Sequence, residues 1–337
     1  MKPLRGIVIL DISRLLPGGF TSLLLAKQGA RVIKIEQPGV GDYYRALTGG
    51  HEFVELGHFA ELHRGKEFMA LDLSKQDGKN IFRRLVQKAD VVLENFRPGT
   101  LKRLGIGFPV LQKWNRKIIL CSITGAGQKN RLAGHDLNYL ALSGLLSLIT
   151  DQRGEPVIPD FQVVDLAAGY RAAFLILSAL YEREFRKRGR WIQTSMMEAG
   201  EELASLYQSE GGSAPLRGLP NYGVYKTRDK KHIAFAALEP KFIRNFSRLL
   251  GKKIGITQGW DQEDLQRIFR QKNAREWGRL SQSHDFCLSP VLSVTEACGL
   301  RKSGEHLPPM GRDNRQVLRR LGYSKKRMRE LKKAGVL

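Results

Sequence analysis

The sequence contains few cysteines and no long uninterrupted hydrophobic run. Its 337 residues include three cysteines, Cys121, Cys287 and Cys298, which are too few and too scattered for a disulfide framework or a zinc cluster. No apolar run approaches the roughly 18 residues of a transmembrane helix, and the N-terminal segment lacks the apolar stretch and cleavage site of a signal peptide. We therefore expect a soluble, cytoplasmic protein without a membrane span or a structural metal.

Acidic residues are outnumbered by basic ones. The chain has 33 Asp and Glu against 56 Lys and Arg, a net charge of +23, and the segment 301–337 alone holds 12 basic and 3 acidic residues. Such an excess favours an anionic partner, whether nucleic acid, a membrane surface or a phosphorylated small molecule. A solvated basic surface explains the charge equally well. No basic motif with interleaved aromatic residues is present, so nucleic acid is the less favoured partner.

Strand-like and helix-like segments alternate through the first 205 residues. A Pro-Gly-Gly triplet at 17–19 is predicted to separate the first strand from the first helix. Alternation of this kind predicts a mostly parallel, doubly wound α/β sheet with helices on both faces. The predicted strands are 6–12, 31–36, 89–94, 117–123 and 191–195, and the predicted helical segments are 20–28, 74–88, 101–104, 136–149, 166–185 and 196–209.

A segment containing glycine and proline, 209–223, is predicted to link this sheet to a smaller α+β domain. That domain begins with a predicted hairpin and is expected to end near a strand at 290–294. Two amphipathic helices in the basic tail, 314–321 and 324–333, are predicted to pack back on the first domain. The predicted domains are therefore 1–205 completed by 301–337, and 206–300.

The usual nucleotide-binding motifs are missing. The first strand is followed by LLPGGF rather than GxGxxG, and TGAGQKN at 124–130 lacks the Walker pattern, so neither NAD(P) nor a phosphate loop is favoured. Instead, His135 and Asp136 precede one predicted helix and Asp165 precedes another. Each aspartate suits a helix N-cap, but both also lie where a βα unit opens toward a ligand. His135 suits either capping or acid–base chemistry, and the residues alone leave these alternatives open.

Seven segments of the sequence carry a family resemblance: VILDISRLLPGGFTSLLLAKQGARVIKIEQPGVGD, RGKEFMALDLS, ADVVLENFRPGTLKRLGIG, SITGAGQ, GHDLNYLALSGLLS, VVDLAAG and LGYSKKRMRELKKAGVL. In this order they resemble the class III CoA-transferase family, which includes CoA-transferases and acyl-CoA racemases. Within that family, GHDLNYLALSG and AALEPKF resemble the alpha-methylacyl-CoA racemase branch, whereas transferase members more often carry tyrosine at position 135.

The resemblance implies a racemase of 2-methyl-branched acyl-CoA thioesters that needs no cofactor, since coenzyme A enters as part of the substrate. His135 and Asp165 would be the acid–base groups on opposite faces of the alpha carbon, with Glu239 as partner of His135 and Asp136 as partner of Asp165. The N-terminus of the helix at Leu166 is expected to stabilise the enolate. The implied CoA contacts are Gln37, which replaces a usual arginine, Arg64, Lys66, Leu71, Asp72, Leu73, Ser74, Arg97, Gly134, Leu137, Asn138 and Tyr139.

The resemblance also implies an interlocked homodimer, in which the active site lies between the large domain of one subunit and the small domain of the other. One alternative is a class III CoA-transferase with Asp165 as the nucleophile. A further alternative is an anion-binding or nucleic-acid-binding protein built on the same fold.

Overall fold

A computed structural model describes residues 2–45, 54–130, 132–151, 153–208, 216–251, 260–299 and 308–337. The chain forms two compact units, one comprising residues 1–208 and 303–337 and the other residues 209–302.

The first unit is built on a parallel sheet of six strands. The order β3-β2-β1-β4-β5-β6 is that of doubly wound dinucleotide-binding sheets, in which the strand order reverses between β1 and β4. Every strand pair in it is parallel, which confirms the predicted sheet; β3 was not predicted. The strands are β1 (Val8–Asp11), β2 (Arg31–Glu36), β3 (Glu67–Ala70), β4 (Val91–Glu94), β5 (Ile119–Thr124) and β6 (Trp191–Ser195).

Helices connect these strands and cover both faces of the sheet. On one face, α1 and α7 pack on Ile9 and Val32, whereas α3 and α5 pack on Leu10 and Ile33 on the other. The helices of this part of the chain are α1 (Leu15–Lys27), α2 (Val54–Leu62), α3 (Gln76–Val86), α4 (Thr100–Arg103), α5 (Phe108–Trp114), α6 (Asp136–Leu142), α7 (Val163–Arg186) and α8 (Met196–Ser205).

The triplet at 17–19 does not separate β1 from α1, as the sequence predicted, but lies inside the first turns of α1. Proline is tolerated there because the first N–H groups of a helix have no partner within the helix. Gly18 is required by close packing, since a Cβ atom on it would lie 2.2 Å from the Cβ of Ser13.

The predicted helix 136–149 is also wrong in its extent. The helix α6 ends at Leu142, and Gly144 adopts a left-handed conformation with φ of 78° before a short 3-10 turn, Leu145–Leu148. A left-handed glycine ends a helix at little cost because it carries no Cβ.

The helix α7 is long and apolar enough to cross a membrane by length and composition, with a mean hydropathy of 1.6 over its most apolar 18-residue window. This finding differs from the sequence-based expectation of no such segment. Of that window, 44% is buried within the structure, and its inner side, including Ala172 and Ile176, belongs to the core beside the sheet.

The second unit contains a three-stranded antiparallel sheet with the order β7-β8-β9, which confirms the predicted hairpin. The predicted strand 290–294 is wrong in its bounds, because Ser293 caps the N-terminus of α12 by accepting the Glu296 N–H at 3.2 Å. Aromatic rings, among them Phe246 and Trp277, fill the core. The elements are β7 (Tyr222–Lys226), β8 (His232–Ala236), α9 (Pro240–Leu249), α10 (Gln262–Phe269), α11 (Ala274–His284), β9 (Leu288–Pro290) and α12 (Val294–Cys298).

The basic tail forms α13 (Asn314–Arg320) and α14 (Lys325–Lys333). Their apolar residues Leu318 and Leu331 are buried in the core that covers one face of the large sheet. Asp313 also accepts the N–H of Phe68 at 2.7 Å, so the tail satisfies a backbone donor on the edge strand β3. The tail helices thus contribute to the core of the first unit.

Candidate active site

A cleft of about 470 Å³ opens at the carboxyl ends of β1 to β4, where the strand order reverses and doubly wound sheets bind their ligands. We call it the switch-point cleft. Arg14, Arg97 and Arg103 line it and offer guanidinium groups of the kind that bind phosphate. Three carboxylates also line it, and two of them, Glu36 and Asp42, are paired with Arg45 and Lys34; the third is Asp72. The implied CoA contacts that line it are Gln37, Leu71, Asp72, Leu73, Ser74 and Arg97.

The residue Arg14 was missed by the sequence analysis, although its place just after β1 was a usable signal. Its guanidinium carbon lies 4.4 Å from the ring centroid of Tyr43 and 5.4 Å from that of Phe96. The Asn95 side chain accepts the Arg14 N–H at 2.7 Å and donates to the Arg14 carbonyl at 2.6 Å. These contacts fix the wall of the cleft between β1 and β4.

The structure does not bring Arg64 or Lys66 to this cleft. Arg64 forms an ion pair with Glu61 one helical turn earlier. Lys66 is buried, with Nζ 2.7 Å from the hydroxyl of Ser22 and 3.7 Å from the carboxylate of Asp11. Burial lowers the pKa of Lys66 to about 7. Lys66 therefore contributes to a buried cluster of charged and polar side chains behind α1. Its amino group faces Asp11 and Ser22 and does not reach solvent.

The two predicted aspartates lie together on neighbouring helices. Asp136 is the first residue of α6 and Asp165 lies in the first turn of α7, so neither is the N-cap that the sequence suggested; those positions belong to His135 and Gln162. The carboxylate of Asp136 instead accepts the backbone N–H of Asp165 at 2.9 Å. Asp136 thus caps α7 from a different helix.

This arrangement bears on the expected enolate site. Of the first N–H groups of α7, that of Asp165 donates to Asp136 at 2.9 Å, and that of Leu166 donates to the Gln162 carbonyl at 3.2 Å. The N–H groups of Val163 and Val164 also act on the Asp136 carboxylate and oppose the rise in its pKa. Stabilisation of the enolate by this helix end stays a prediction.

The surroundings of Asp165 raise the pKa of its carboxyl group. Burial and, secondly, the negative charge of Asp136 raise the pKa of Asp165 to about 7. Burial also raises the pKa of Asp136, and its hydrogen bonds from the backbone oppose that effect. Asp165 consequently exchanges readily between carboxylic acid and carboxylate near neutral pH.

The buried side chain of Tyr139 is influenced by one charge of the switch-point cleft and by one of the aspartate pair. It is 2% exposed and donates to the Leu132 carbonyl at 3.2 Å. Burial raises the pKa of Tyr139, the charge of Arg97 lowers it and the charge of Asp165 raises it further. Arg97, which lines the cleft, and Asp165, a predicted acid–base residue, therefore both influence the pKa of the Tyr139 phenol.

The remaining predicted site residues of this region surround the start of α6. His135 is exposed and its backbone N–H donates to Asn138 Oδ1 at 3.0 Å. Gly134 leaves room for the side chain of Asn138, since a Cβ atom added to Gly134 would lie 3.0 Å from the Cβ of Asn138. Leu137 is exposed. His135 and Leu137 are thus open to a bound molecule.

The last predicted residue, Glu239, belongs to the second unit. It is the N-cap of α9 and lies near Cys287, whose pKa is raised by burial and then by the charge of Glu239. The pairing of Glu239 with His135 stays a prediction. In the described part of the chain, no group of three or more His, Cys, Asp or Glu is arranged to hold a metal ion.

Comparison with known proteins decides the family. Residues 4–305 match the family described as CoA-transferase family III. The chain belongs to CoA-transferase family III. This family-III chain is 33% identical to the human alpha-methylacyl-CoA racemase over 315 residues, which cover 87% of the chain and 78% of the racemase. It is 30% identical to the acetyl-CoA:oxalate CoA-transferase of Acetobacter aceti over 329 residues, which cover 88% and 83% of the two chains.

A solved structure supports the fold. The family-III chain matches a CAIB/BAIF family protein from Brucella suis with a TM-score of 0.80 over 95% of this chain and 99% of that one, at 23% identity. The family resemblance read from the sequence is confirmed. Racemases and CoA-transferases both occur among the relatives, and the family-III chain is an enzyme.

Proposed function

We propose that this enzyme is an alpha-methylacyl-CoA racemase, which inverts the 2-methyl centre of branched acyl-CoA thioesters. The observation that carries the proposal is the place of Asp165, which is half-buried at the start of α7 beside Asp136. Burial and, secondly, the charge of Asp136 raise the pKa of Asp165 to about 7. A two-base racemase needs a group that gives and takes a proton with similar ease at neutral pH. A carboxylate used as a nucleophile is needed in its ionised form instead.

The proton transfers follow from two groups on opposite faces of the alpha carbon. For one enantiomer, neutral His135 removes the alpha proton while protonated Asp165 delivers its own proton to the other face of the enolate. For the other enantiomer the roles are reversed. Each turnover leaves one group protonated and the other not, so the next turnover in the same direction requires proton exchange with solvent.

The coenzyme A part of the substrate is assigned to the switch-point cleft. Its phosphates suit the guanidinium groups of Arg97 and Arg103, which bind phosphate through paired hydrogen bonds. The thioester then extends toward Tyr139, since Arg97 and Asp165 both act on that phenol. We assign no redox or metal cofactor to this reaction.

The proposal has three further parts. Glu239 is proposed to partner His135, as the family resemblance implies. The enzyme is proposed to be a homodimer, because the outer side of α7 exposes Phe174 and Tyr181 at 68% and 72%, more aromatic surface than a lone helix face usually leaves to water. A cytoplasmic location agrees with three cysteines that form no disulfide in the structure.

Deuterium wash-in tests the racemase. Each enantiomer of a 2-methylacyl-CoA is incubated in heavy water without a carboxylate acceptor. We expect the wild type to invert both and to incorporate deuterium at the alpha carbon. His135→Ala and Asp165→Ala should each slow inversion by roughly 10²- to 10⁴-fold, while each retains exchange of one enantiomer only. His232→Ala, at an exposed histidine of β8, is the matched control and should behave as wild type.

A CoA-transferase is the second candidate, favoured by the likeness to the acetyl-CoA:oxalate CoA-transferase. In that reaction Asp165 would attack the thioester carbonyl, and CoA would leave as the acyl anhydride forms. Asp165→Ala would then abolish CoA exchange while His135→Ala is tolerated. Absence of wash-in by the wild type on several branched acyl-CoAs, together with CoA exchange that depends on an added carboxylate, would contradict the racemase.

A further inference from the structure

A second cleft, of about 620 Å³, lies between the edge of the large sheet and the two tail helices. We call it the tail cleft. Among the described residues, none lines both this cleft and the switch-point cleft. The loop after β2 borders both, with Gln37 in one and Pro38 in the other. The proposed racemase chemistry makes no use of the tail cleft.

The wall of the tail cleft is strongly cationic and no acidic side chain lines it among the described residues. Of its five cations, Arg312 bonds to Asp313 at 3.1 Å. The other four have no acidic partner within 4.0 Å in the described ranges; they are Arg315, Lys325, Arg329 and Lys332.

The two acidic residues of the tail within the described ranges already have partners. Asp313 accepts the N–H of Phe68, and Glu330 pairs with Arg327 at 3.3 Å. Apart from Arg312, which Asp313 pairs, the cations of the cleft therefore repel one another with no neutralising side chain among the described residues. A concave surface lined by charges of one sign focuses its field and concentrates counter-ions, so that an anionic ligand relieves this repulsion.

Apolar side chains form the remainder of the tail cleft. Leu318 is fully buried in the core, and Met310 and Met328 are half-buried beside it. Methionine adapts its shape to flat or irregular ligands. A volume of this size accommodates a small molecule, whereas a nucleic acid strand is usually bound along an extended groove. The cleft thus combines multiple positive charges with an apolar floor in a bounded space.

We propose that the tail cleft binds a small amphipathic polyphosphate, in which several phosphate groups are joined to an apolar or aromatic body, as in a nucleoside triphosphate. The phosphates would lie against Arg315, Arg329 and Lys332, and the body against Met310 and Met328. This site is separate from the acyl-CoA site, and the inference does not depend on the racemase proposal.

Binding of ATP, measured by calorimetry on the full chain, tests the proposal. The double variant Arg315→Gln/Arg329→Gln should weaken ATP binding at least about tenfold, because it removes two charge-assisted contacts. The matched control is Arg319→Gln/Lys333→Gln, which removes the same charge from exposed residues of the same two helices that do not line the cleft. We expect it to bind ATP within about twofold of wild type.

Two further probes separate the cleft from other sites. Inorganic tripolyphosphate should bind more weakly than ATP at the same ionic strength, because it lacks a body for the apolar floor. Arg97→Ala, in the switch-point cleft, should leave ATP binding unchanged. Loss of ATP binding in Arg97→Ala would place the probe in the acyl-CoA site and overturn the proposal.

Equal weakening by the two double variants would show diffuse attraction to the basic surface and would also overturn it. So would the absence of ATP binding to the wild type. Single-stranded DNA and vesicles of acidic phospholipid serve as competitors. If either binds more tightly than ATP and is weakened equally by both double variants, the tail is a general polyanion surface and the proposal fails. Thermal unfolding of each variant verifies that the tail remains folded.

Discussion

The carboxylate of Asp136 lies 2.9 Å from the backbone nitrogen of Asp165, so one carboxylate caps the helix that carries the other. The hydrogen bond holds the start of α7 against the start of α6. It also keeps the charge of Asp136 close to the Asp165 carboxyl, which contributes to a pKa of about 7. Asp136 is therefore a positioning residue that acts through Asp165.

Replacing Asp136 by asparagine tests this coupling. Asp136→Asn retains an oxygen that can accept the N–H of Asp165 but removes the negative charge. We expect the pKa of Asp165 to fall below 7, because its ionised form no longer faces a like charge. The corresponding inflection in the pH profile of kcat/KM should move to lower pH. At neutral pH, the direction that uses protonated Asp165 should slow by about fivefold for the first unit of that movement and by about tenfold for each further unit, as the protonated fraction falls.

The control for this variant is Asp160→Asn, which removes a charge from an exposed residue of the loop before α7. It should leave the profile in place. An unchanged profile in Asp136→Asn, with the protein folded, would show that the two carboxyl groups do not interact as the structure indicates.

The arginines of the switch-point cleft lead to a prediction about substrate binding. Arg97→Ala should raise KM for an acyl-CoA by at least about tenfold, since a guanidinium–phosphate contact is lost. The rate of alpha-proton exchange at saturation should change much less. Steady-state wash-in kinetics measure both quantities. Lys102→Ala, an exposed residue of α4 outside the cleft, should resemble wild type, and an unchanged KM in Arg97→Ala would contradict the assignment.

The sheet could be predicted because its central strands are buried on both faces and are rich in β-branched residues. Residues 31–36 were predicted with the bounds that the structure shows. Errors arose where local rules were overridden by packing. Gly18 resembles a turn residue but lies within α1, where Ser13 leaves no room for a larger side chain. Gly144 was included in a helix that its left-handed conformation ends.

The residues of the candidate site could be named from the sequence, but several of their contacts could not. Asp136 caps a helix that begins 27 residues later, and sequence distance gives no sign of such a bond. Lys66 was expected to bind CoA, yet it lies opposite Asp11 and Ser22. Whether a lysine faces solvent or a buried carboxylate depends on tertiary packing, which the local pattern does not contain.

The tail should contribute to stability through its apolar residues. Leu318→Ala removes a fully buried side chain of α13 and should lower the free energy of unfolding of the first unit by about 2–5 kcal/mol. Arg319→Ala, at the adjacent exposed position, should change it by less than about 0.5 kcal/mol. Urea unfolding followed by circular dichroism measures the difference. Equal stability of the two variants would mean that the tail is not part of the core.

The exposed aromatic side of α7 predicts a dimer. The wild type should have twice the chain mass of 38.0 kDa in light scattering at micromolar concentration. Phe174→Glu/Tyr181→Glu should shift it toward the monomer, because two charges would be buried without partners. Lys113→Glu/Arg116→Glu changes exposed residues in and after α5, on the other face of the sheet, and should remain dimeric. A monomeric wild type would contradict the prediction.

Stability should depend on pH through Glu94, which lies at the end of β4 and is 5% exposed. Burial raises the pKa of Glu94 from 4.5 to about 7. Between these pH values the folded chain binds more protons than the unfolded chain, so this residue lowers stability as pH rises through that window. Glu94→Gln abolishes the titration and retains an oxygen to accept the Phe96 N–H, which lies 2.7 Å from the carboxylate.

We therefore expect Glu94→Gln to match the wild type near pH 4 and to exceed its free energy of unfolding by about 1–3 kcal/mol at pH 8. The control is Glu201→Gln, which removes one negative charge from an exposed residue of α8. Because that charge is not buried, this variant should follow the wild type at both pH values. Asp165 shifts in the same direction, so part of the pH dependence should persist in Glu94→Gln. A variant that is less stable than wild type at pH 8 would show that the buried carboxylate is stabilised in its ionised form, contrary to its surroundings.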